Sequence, residues 1–432
     1  MKLPDDMVFA EVSGSLIGLS GALLSARIPS ARSGDEVRIE KKSGGWLLAE
    51  VSGFSDGVTY LAPLGDAHGL GNGDRVINTC RPGRSPVGEG LLGRVLGPLG
   101  EPLDNCGELR DCVWRVIRPV LRPDVSKPLI DTPLMTGIRA IDGLVTVGAG
   151  QKVGVFSGPG KGKTTMLRQA ACMSEVDRTV VCLVGERSRE INEFIAEIEK
   201  TGVKERTVFF VAPGQSSPGL KMRTCLCAMT AAEEMRERGM HVLLVLDSLT
   251  RLARALRDLG ISAGEPSVRR AYPPSVFSRI QRLIERAGPG EKGAVTAMVS
   301  ILIEGNDFSD DPVADEAAAL LDGHIVLSGS LAETGVYPSI DLAASLSRVM
   351  GRITDKSHMQ AAVRVRNLMA AYERNRDLIS IGAYKPGADA GTDEAIQRIS
   401  EIRDFISQPE GMIVKFNQTV EDLKNRFGTE IH

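Results

Sequence analysis

The hydrophobic rhythm of the chain changes twice along its length. Between about residues 7 and 80, short runs at 9–13, 36–40, 46–51 and 58–62 are apolar or alternate apolar with polar positions, and Gly, Ser and Asp clusters separate them. That pattern predicts short strands, and their natural package is a small β-barrel or sandwich. Residues 81–107 are rich in Gly and Pro and read as an irregular connection. From about Gly150 the runs become continuously apolar, at 153–156, 179–184, 208–212, 242–246, 294–303 and 324–327. Such runs suit a parallel sheet buried on both faces. The intervening segments 224–235 and 274–287 read as helices, which together with the strands predicts an open α/β core. Beyond about Asp355 no strand pattern remains, and Phe416, Val420, Leu423 and Phe427 recur at helical spacing as a packing stripe. The expected organisation is a β unit over 1–80, a connection over 81–150, an α/β core over 151–355 and a helical unit over 356–432.

Composition narrows the functional classes. The 432 residues are 42% hydrophobic and 25% charged, ordinary for a soluble globular chain with room for two or three domains. A formal net charge of −3 argues against a general nucleic-acid binder. The seven cysteines are odd in number, lack CxxC spacing and partly sit in apolar runs, as Cys182 does. That favours a reducing compartment and gives no zinc site. No signal pattern opens the chain and no apolar run reaches membrane length, so a cytoplasmic protein is expected.

The most specific chemistry lies in Val153-Gly-Val-Phe-Ser-Gly-Pro-Gly-Lys-Gly-Lys-Thr-Thr165, an apolar strand, a glycine-rich turn and the start of a helix. Gly158, Gly160 and Gly162 let consecutive N–H groups turn inward, and the helix adds its N-terminal dipole. Lys163 then reaches the β/γ-phosphates and the Thr164 hydroxyl ligates Mg²⁺. The candidate nucleotide contacts are therefore Ser157, Gly158, Pro159, Gly160, Lys161, Gly162, Lys163, Thr164 and Thr165. Ser157 stands where the strict P-loop pattern has Gly.

Three further requirements complete a hydrolytic reading. Asp247 ends the apolar strand 242–246 and is a candidate to hold Mg²⁺, although a strand-end Asp can also cap a helix. Glu186 follows strand 179–184 at the sheet edge where ligands bind in open α/β folds, and can either polarise the attacking water or cap the next helix. Positive charge for the transition state has two candidates, Arg251 and Arg348, between which periodicity does not choose.

Taken in order, Ser157-Gly-Pro-Gly-Lys-Gly-Lys-Thr164, Gly185-Glu-Arg187, Leu244-Val-Leu-Asp-Ser-Leu-Thr-Arg251, Gly264-Glu-Pro266, Tyr272-Pro-Pro-Ser-Val-Phe277, Asp322-Gly-His-Ile-Val-Leu327, Tyr337-Pro-Ser-Ile-Asp341 and Ser345-Leu-Ser-Arg348 resemble the flagellar protein-export and type III secretion ATPases. These are relatives of the catalytic subunit of F-type ATP synthase. The resemblance implies an N-terminal β-barrel, a RecA-like P-loop ATPase core and a C-terminal helical domain, assembled as a homohexamer that hydrolyses ATP with Mg²⁺ to energise export. It implies Glu186 as general base, Arg348 as an arginine finger reaching the neighbouring subunit's nucleotide, Arg187 and Arg251 at the γ-phosphate or ordering the site, and Tyr337 against the adenine. It places residues 264–277 near the ring opening, facing a coiled-coil stalk protein. Export-gate and chaperone–substrate complexes are the implied partners, at the cytoplasmic face of a membrane apparatus. The family's regulatory stator binds an N-terminal amphipathic extension that is short here, which leaves that contact open.

Asn375-Arg-Asp-Leu378 leans towards the flagellar members, without separating flagellar from virulence export. Two departures stand out: Lys161 replaces a small apolar P-loop residue, and Gly329-Ser330 stands where a charged pair is common. Two other functions share the core, a non-catalytic nucleotide-binding ring subunit and an RNA-translocating hexamer of the transcription-termination type. The presence of Glu186 counts against the first. Near-neutral charge and the lack of an aromatic-basic N-terminal surface count against the second.

Overall fold

A computed structural model of the chain describes residues 12–117, 127–303 and 310–428. The N-terminal strands Val12–Ser20, Leu23–Arg27, Asp35–Glu40, Trp46–Ser55, Val58–Pro63 and Arg75–Pro82 close into an antiparallel barrel. Closure removes the exposed strand edges, and Leu16, Leu24, Val37, Ile39, Val51, Leu61 and Val76 fill the interior. The predicted strand at 9–13 lies mostly outside the described residues; the observed one begins at Val12. Alternation does not announce Leu23–Arg27, because Leu24 enters the barrel while Leu23 packs on the neighbouring core. With both faces covered, the period of two disappears.

The Gly/Pro-rich connection is more ordered than its composition predicts. Arg84–Val87 pairs with Val113–Val116, and Val95–Leu96 joins the edge of the core sheet beside Thr207–Ala212. Strands of two to four residues are too short to show a period.

The core sheet runs in the order Leu346–Ser347, Gly323–Val326, Lys152–Ser157, Ala294–Leu302, His241–Asp247, Arg178–Val184, Thr207–Ala212, Val95–Leu96. The central strands are parallel. Val180 and Val181 belong to cores on opposite faces, which is why this stretch of sequence is continuously apolar. The C-terminal helices Lys356–Ser380, Ala390–Ile406 and Phe416–Phe427 follow. Phe405, Leu423 and Phe427 are fully buried, and the last helix packs on the helix Arg139–Leu144. The fold is thus the expected barrel, RecA-like α/β core and helical C-terminal unit. The seven cysteines are free thiols. Among the described residues no helix is long and apolar enough to cross a membrane.

Candidate active site

The strand Lys152–Ser157 lies inside the sheet and delivers the glycine-rich loop to its carboxyl edge. Gly160 (φ 73°) and Gly162 (φ 83°) adopt left-handed backbone angles that a side chain would strain. Gly162 opens the helix Lys163–Met173 and no side chain caps it, so its first N–H groups are available to an anion.

Beneath the loop, three buried groups converge. The Lys163 ammonium lies 2.5 Å from Asp247 Oδ1 and 3.4 Å from Ser300 Oγ, and Ser300 donates to the same Asp247 oxygen at 2.6 Å. Ser300 comes from the strand between those of the loop and of Asp247. It was missed in the sequence, where it is one of two hydroxyls, with Thr296, inside the apolar run 294–303. A cation and a carboxylate this buried hold each other in place, since either alone would carry a large desolvation cost.

Glu186 stands beside this group, 7% exposed, just past the strand Arg178–Val184 that neighbours the Asp247 strand. Its Oε2 accepts from Arg251 Nη2 at 2.9 Å. Its Oε1 is buried with no hydrogen-bond partner among the described residues. Burial first, and then the nearby Asp247 charge, push the Glu186 carboxyl up to about 7. The helix after it, Ser188–Lys200, starts from Arg187 with no side-chain cap, so Glu186 does not serve as its cap. Arg251, in the first turn of the helix Leu249–Ser262, also donates to the Gly185 carbonyl. A Cβ on Gly185 (φ 76°) would sit 2.8 Å from Arg251 Cδ, so glycine there admits the arginine. Arg251 thereby braces Glu186 rather than standing free.

The other sequence candidates distribute around the loop. Pro159, Gly160 and Thr164 are exposed, Thr165 is half-buried, and Ser157 is buried with an unpartnered hydroxyl. The Tyr337 ring, 47% exposed, lies 3.7 Å from where a Cβ on Gly162 would be. Ser339 Oγ donates to the Lys161 carbonyl at 2.9 Å, fastening this segment to the loop. Arg187 is exposed at the rim. Arg348 is not gathered into this chain's own cluster: it is exposed, and its Nη2 donates to the Ala318 carbonyl at 3.2 Å. The two sequence departures meet in space. The Lys161 side chain lies against Gly158 and Gly329, and a Cβ at Gly329 would come 3.2 Å from its Cε.

The donor set suits a magnesium nucleotide. Among the described residues no group of three or more His, Cys, Asp or Glu forms a metal cage. Mg²⁺ ordinarily takes one or two protein oxygens and completes its shell with phosphate and water. Thr164 at the loop's end is exposed, and Asp247 is buried against Lys163; each carries an oxygen of the kind such an ion takes.

Residues 137–347 match the model of the ATP synthase alpha/beta family, nucleotide-binding domain, and residues 354–425 match the T3SS EscN ATPase C-terminal domain. The type 3 secretion system ATPase of Xanthomonas euvesicatoria is 42% identical over 96% of this chain and 92% of its own length. The flagellum-specific ATP synthase of Pseudomonas aeruginosa is also 42% identical, over 92% of this chain and 89% of its own length. Among solved structures, the assembled ATPase EscN of the enteropathogenic E. coli type III secretion system superposes with a TM-score of 0.89 at 37% identity, covering 95% of this chain and 99% of that one. A structure of EscN with its central stalk EscO gives 0.85 over the same shares.

Proposed function

Because this chain belongs to the family of type 3 secretion and flagellar export ATPases, itself within the ATP synthase alpha/beta family, we propose that it hydrolyses Mg-ATP to energise protein export. The observation that carries the chemistry is the buried Lys163–Asp247–Ser300 group beneath a glycine loop, with a second carboxylate, Glu186, beside it. In this reading the Asp247 contact parks Lys163, and an arriving triphosphate draws the ammonium onto its β- and γ-oxygens. Thr164 and Asp247 would hold Mg²⁺, which would offset the phosphate charge. Glu186 takes the proton of the attacking water. A carboxyl raised to about 7 is a stronger base than an ordinary glutamate and is still substantially ionised at neutral pH. Arg251 keeps that carboxylate aimed, and Tyr337 offers its exposed ring to the base.

The transition state needs a further cation. Arg348 would supply it to a neighbour in a ring, a reading supported by its exposure and its absence from its own chain's cluster. The EscN structure is described as assembled, and a homohexamer of this chain would supply that neighbour. The exposed segment around Val268 (73% exposed), after the helix Leu249–Ser262, is the surface we assign to a central stalk, as EscN has in EscO. The protein would work at the cytoplasmic face of an export apparatus. Equal identity to secretion and flagellar relatives assigns neither system.

The test is steady-state Mg-ATP turnover against protein concentration, read together with oligomeric mass. Activity should rise as the ring forms and vanish in Glu186→Gln, while ATP binding persists. Normal turnover in Glu186→Gln would remove Glu186 as the base.

A further inference from the structure

Away from the P-loop, a cavity of about 230 Å³ lies in the seam between the barrel and the core. Its walls carry four guanidiniums, Arg223, Arg279, Arg282 and Arg286, against the single carboxylate of Glu50. Two of them are buried and only partly satisfied. Arg223, 1% exposed, uses Nη2 for Glu36 (2.5 Å) and Glu50 (3.1 Å), while its Nε and Nη1 have no partner among the described residues. Arg286, 3% exposed, binds Glu233 and Thr230 through Nε and Nη2, leaving Nη1 unpartnered.

The other two face the cavity from one side of the helix Pro274–Ile284, three residues apart. Arg279 is half-buried, with its charge acting on Glu50, and Arg282 is exposed. Burial raises the Glu50 carboxyl from the ordinary range while the Arg223 and Arg279 charges act against that, and this one carboxylate faces four cations. Buried guanidinium nitrogens without acceptors are costly, and planar forks match the oxygens of a tetrahedral anion. The volume falls below the roughly 300–1,000 Å³ of pockets for drug-sized ligands. It therefore favours a small anion over a nucleotide.

We propose that this seam binds a small phosphate-type oxyanion, orthophosphate or the phosphate of a monoester, held by Arg279 and Arg282 in front of Arg223 and Arg286. The site stands apart from the nucleotide site, so its test requires no ATP turnover.

The experiment is equilibrium dialysis of radiolabelled orthophosphate against the full chain carrying Lys163→Ala, which disables the P-loop. One saturable site should remain. Adding Arg279→Gln and Arg282→Gln should weaken it about tenfold or more, the loss expected for two charge-assisted contacts. Glycerol 3-phosphate competing for the site assigns a monoester, and failure to compete assigns free phosphate. Arg282→Gln alone, at the most accessible of the four positions, should lower affinity even if the double variant folds poorly. Absence of saturable binding in the Lys163→Ala chain, or binding indifferent to both arginines, would overturn the proposal.

Discussion

Two buried ionic clusters stand out among the described residues, and they differ in what they leave unsatisfied. Under the P-loop, Lys163 is shared by Asp247 and Ser300, and the atoms left over are two oxygens, Glu186 Oε1 and Ser157 Oγ, and one nitrogen, Arg251 Nε. In the barrel seam, Arg223 is shared by Glu36 and Glu50, and the atoms left over are guanidinium nitrogens. Spare oxygens suit a cation, a water or a proton in transit. Spare nitrogens suit an anion. The first cluster sits under a loop whose glycines hold left-handed angles, so its partner can enter; the second lies where two units of the fold press together. The contrast separates a site organised for turnover from one organised for holding.

The largest effect should come from a residue in neither cluster. If the nucleotide cluster lacks a transition-state cation that only a neighbour supplies, Arg348→Ala will cut turnover of the assembled ring by about 10³–10⁵. Mixing it with Glu186→Gln protein should then restore some activity at mixed interfaces. An Arg348→Ala ring with full activity would end the shared-site reading. Next, Glu186→Gln should lose about 10²–10⁴ in kcat while keeping ATP affinity, measured by nucleotide titration and steady-state rate.

The seam should answer in stability instead. Arg223→Met leaves Glu36 and Glu50 facing each other across adjacent strands without their cation, and should cost about 3–5 kcal/mol in denaturant unfolding. The folded fraction should turn over at a normal rate. A loss of kcat without a loss of stability would erase the distinction between the clusters.

The pH profile sharpens the contrast further. Below about 7 the Glu186 carboxyl keeps its proton and cannot accept another; above it the group is ionised. The rate should therefore fall about tenfold per unit as pH drops below that point and level off above it. A flat profile between acid and neutral pH would deny Glu186 the proton transfer. The smallest effect is expected at Lys161, whose side chain rests on Gly158 and Gly329. Removing a cation beside the loop, as Lys161→Val, should raise KM for ATP about two- to fivefold with little change in kcat, as loss of uniform binding does.

Much of the nucleotide loop was legible because its chemistry is local. Glycine angles, the helix start and Lys163 follow one another within a dozen residues, and no distant contact is needed to place them. The core strands were legible for a similar reason, since two covered faces leave a continuous apolar run. Ser300 was not, because its meaning arises only when its strand lies between two others. Sequence left Glu186 between base and cap; the tertiary structure placed it against Arg251 and next to Asp247, and started the next helix from Arg187.

By itself, then, the order of residues determined the central core strands, the phosphate-binding turn and the family. Tertiary structure alone decided which charges share a partner, that Lys161 and Gly329 touch, and that three arginines from two helices and a fourth from the turn after the second line one cavity. The physical reason is range. Backbone preference and periodicity act over a few neighbouring residues, whereas desolvation and charge pairing depend on what the folded chain brings within a few ångströms.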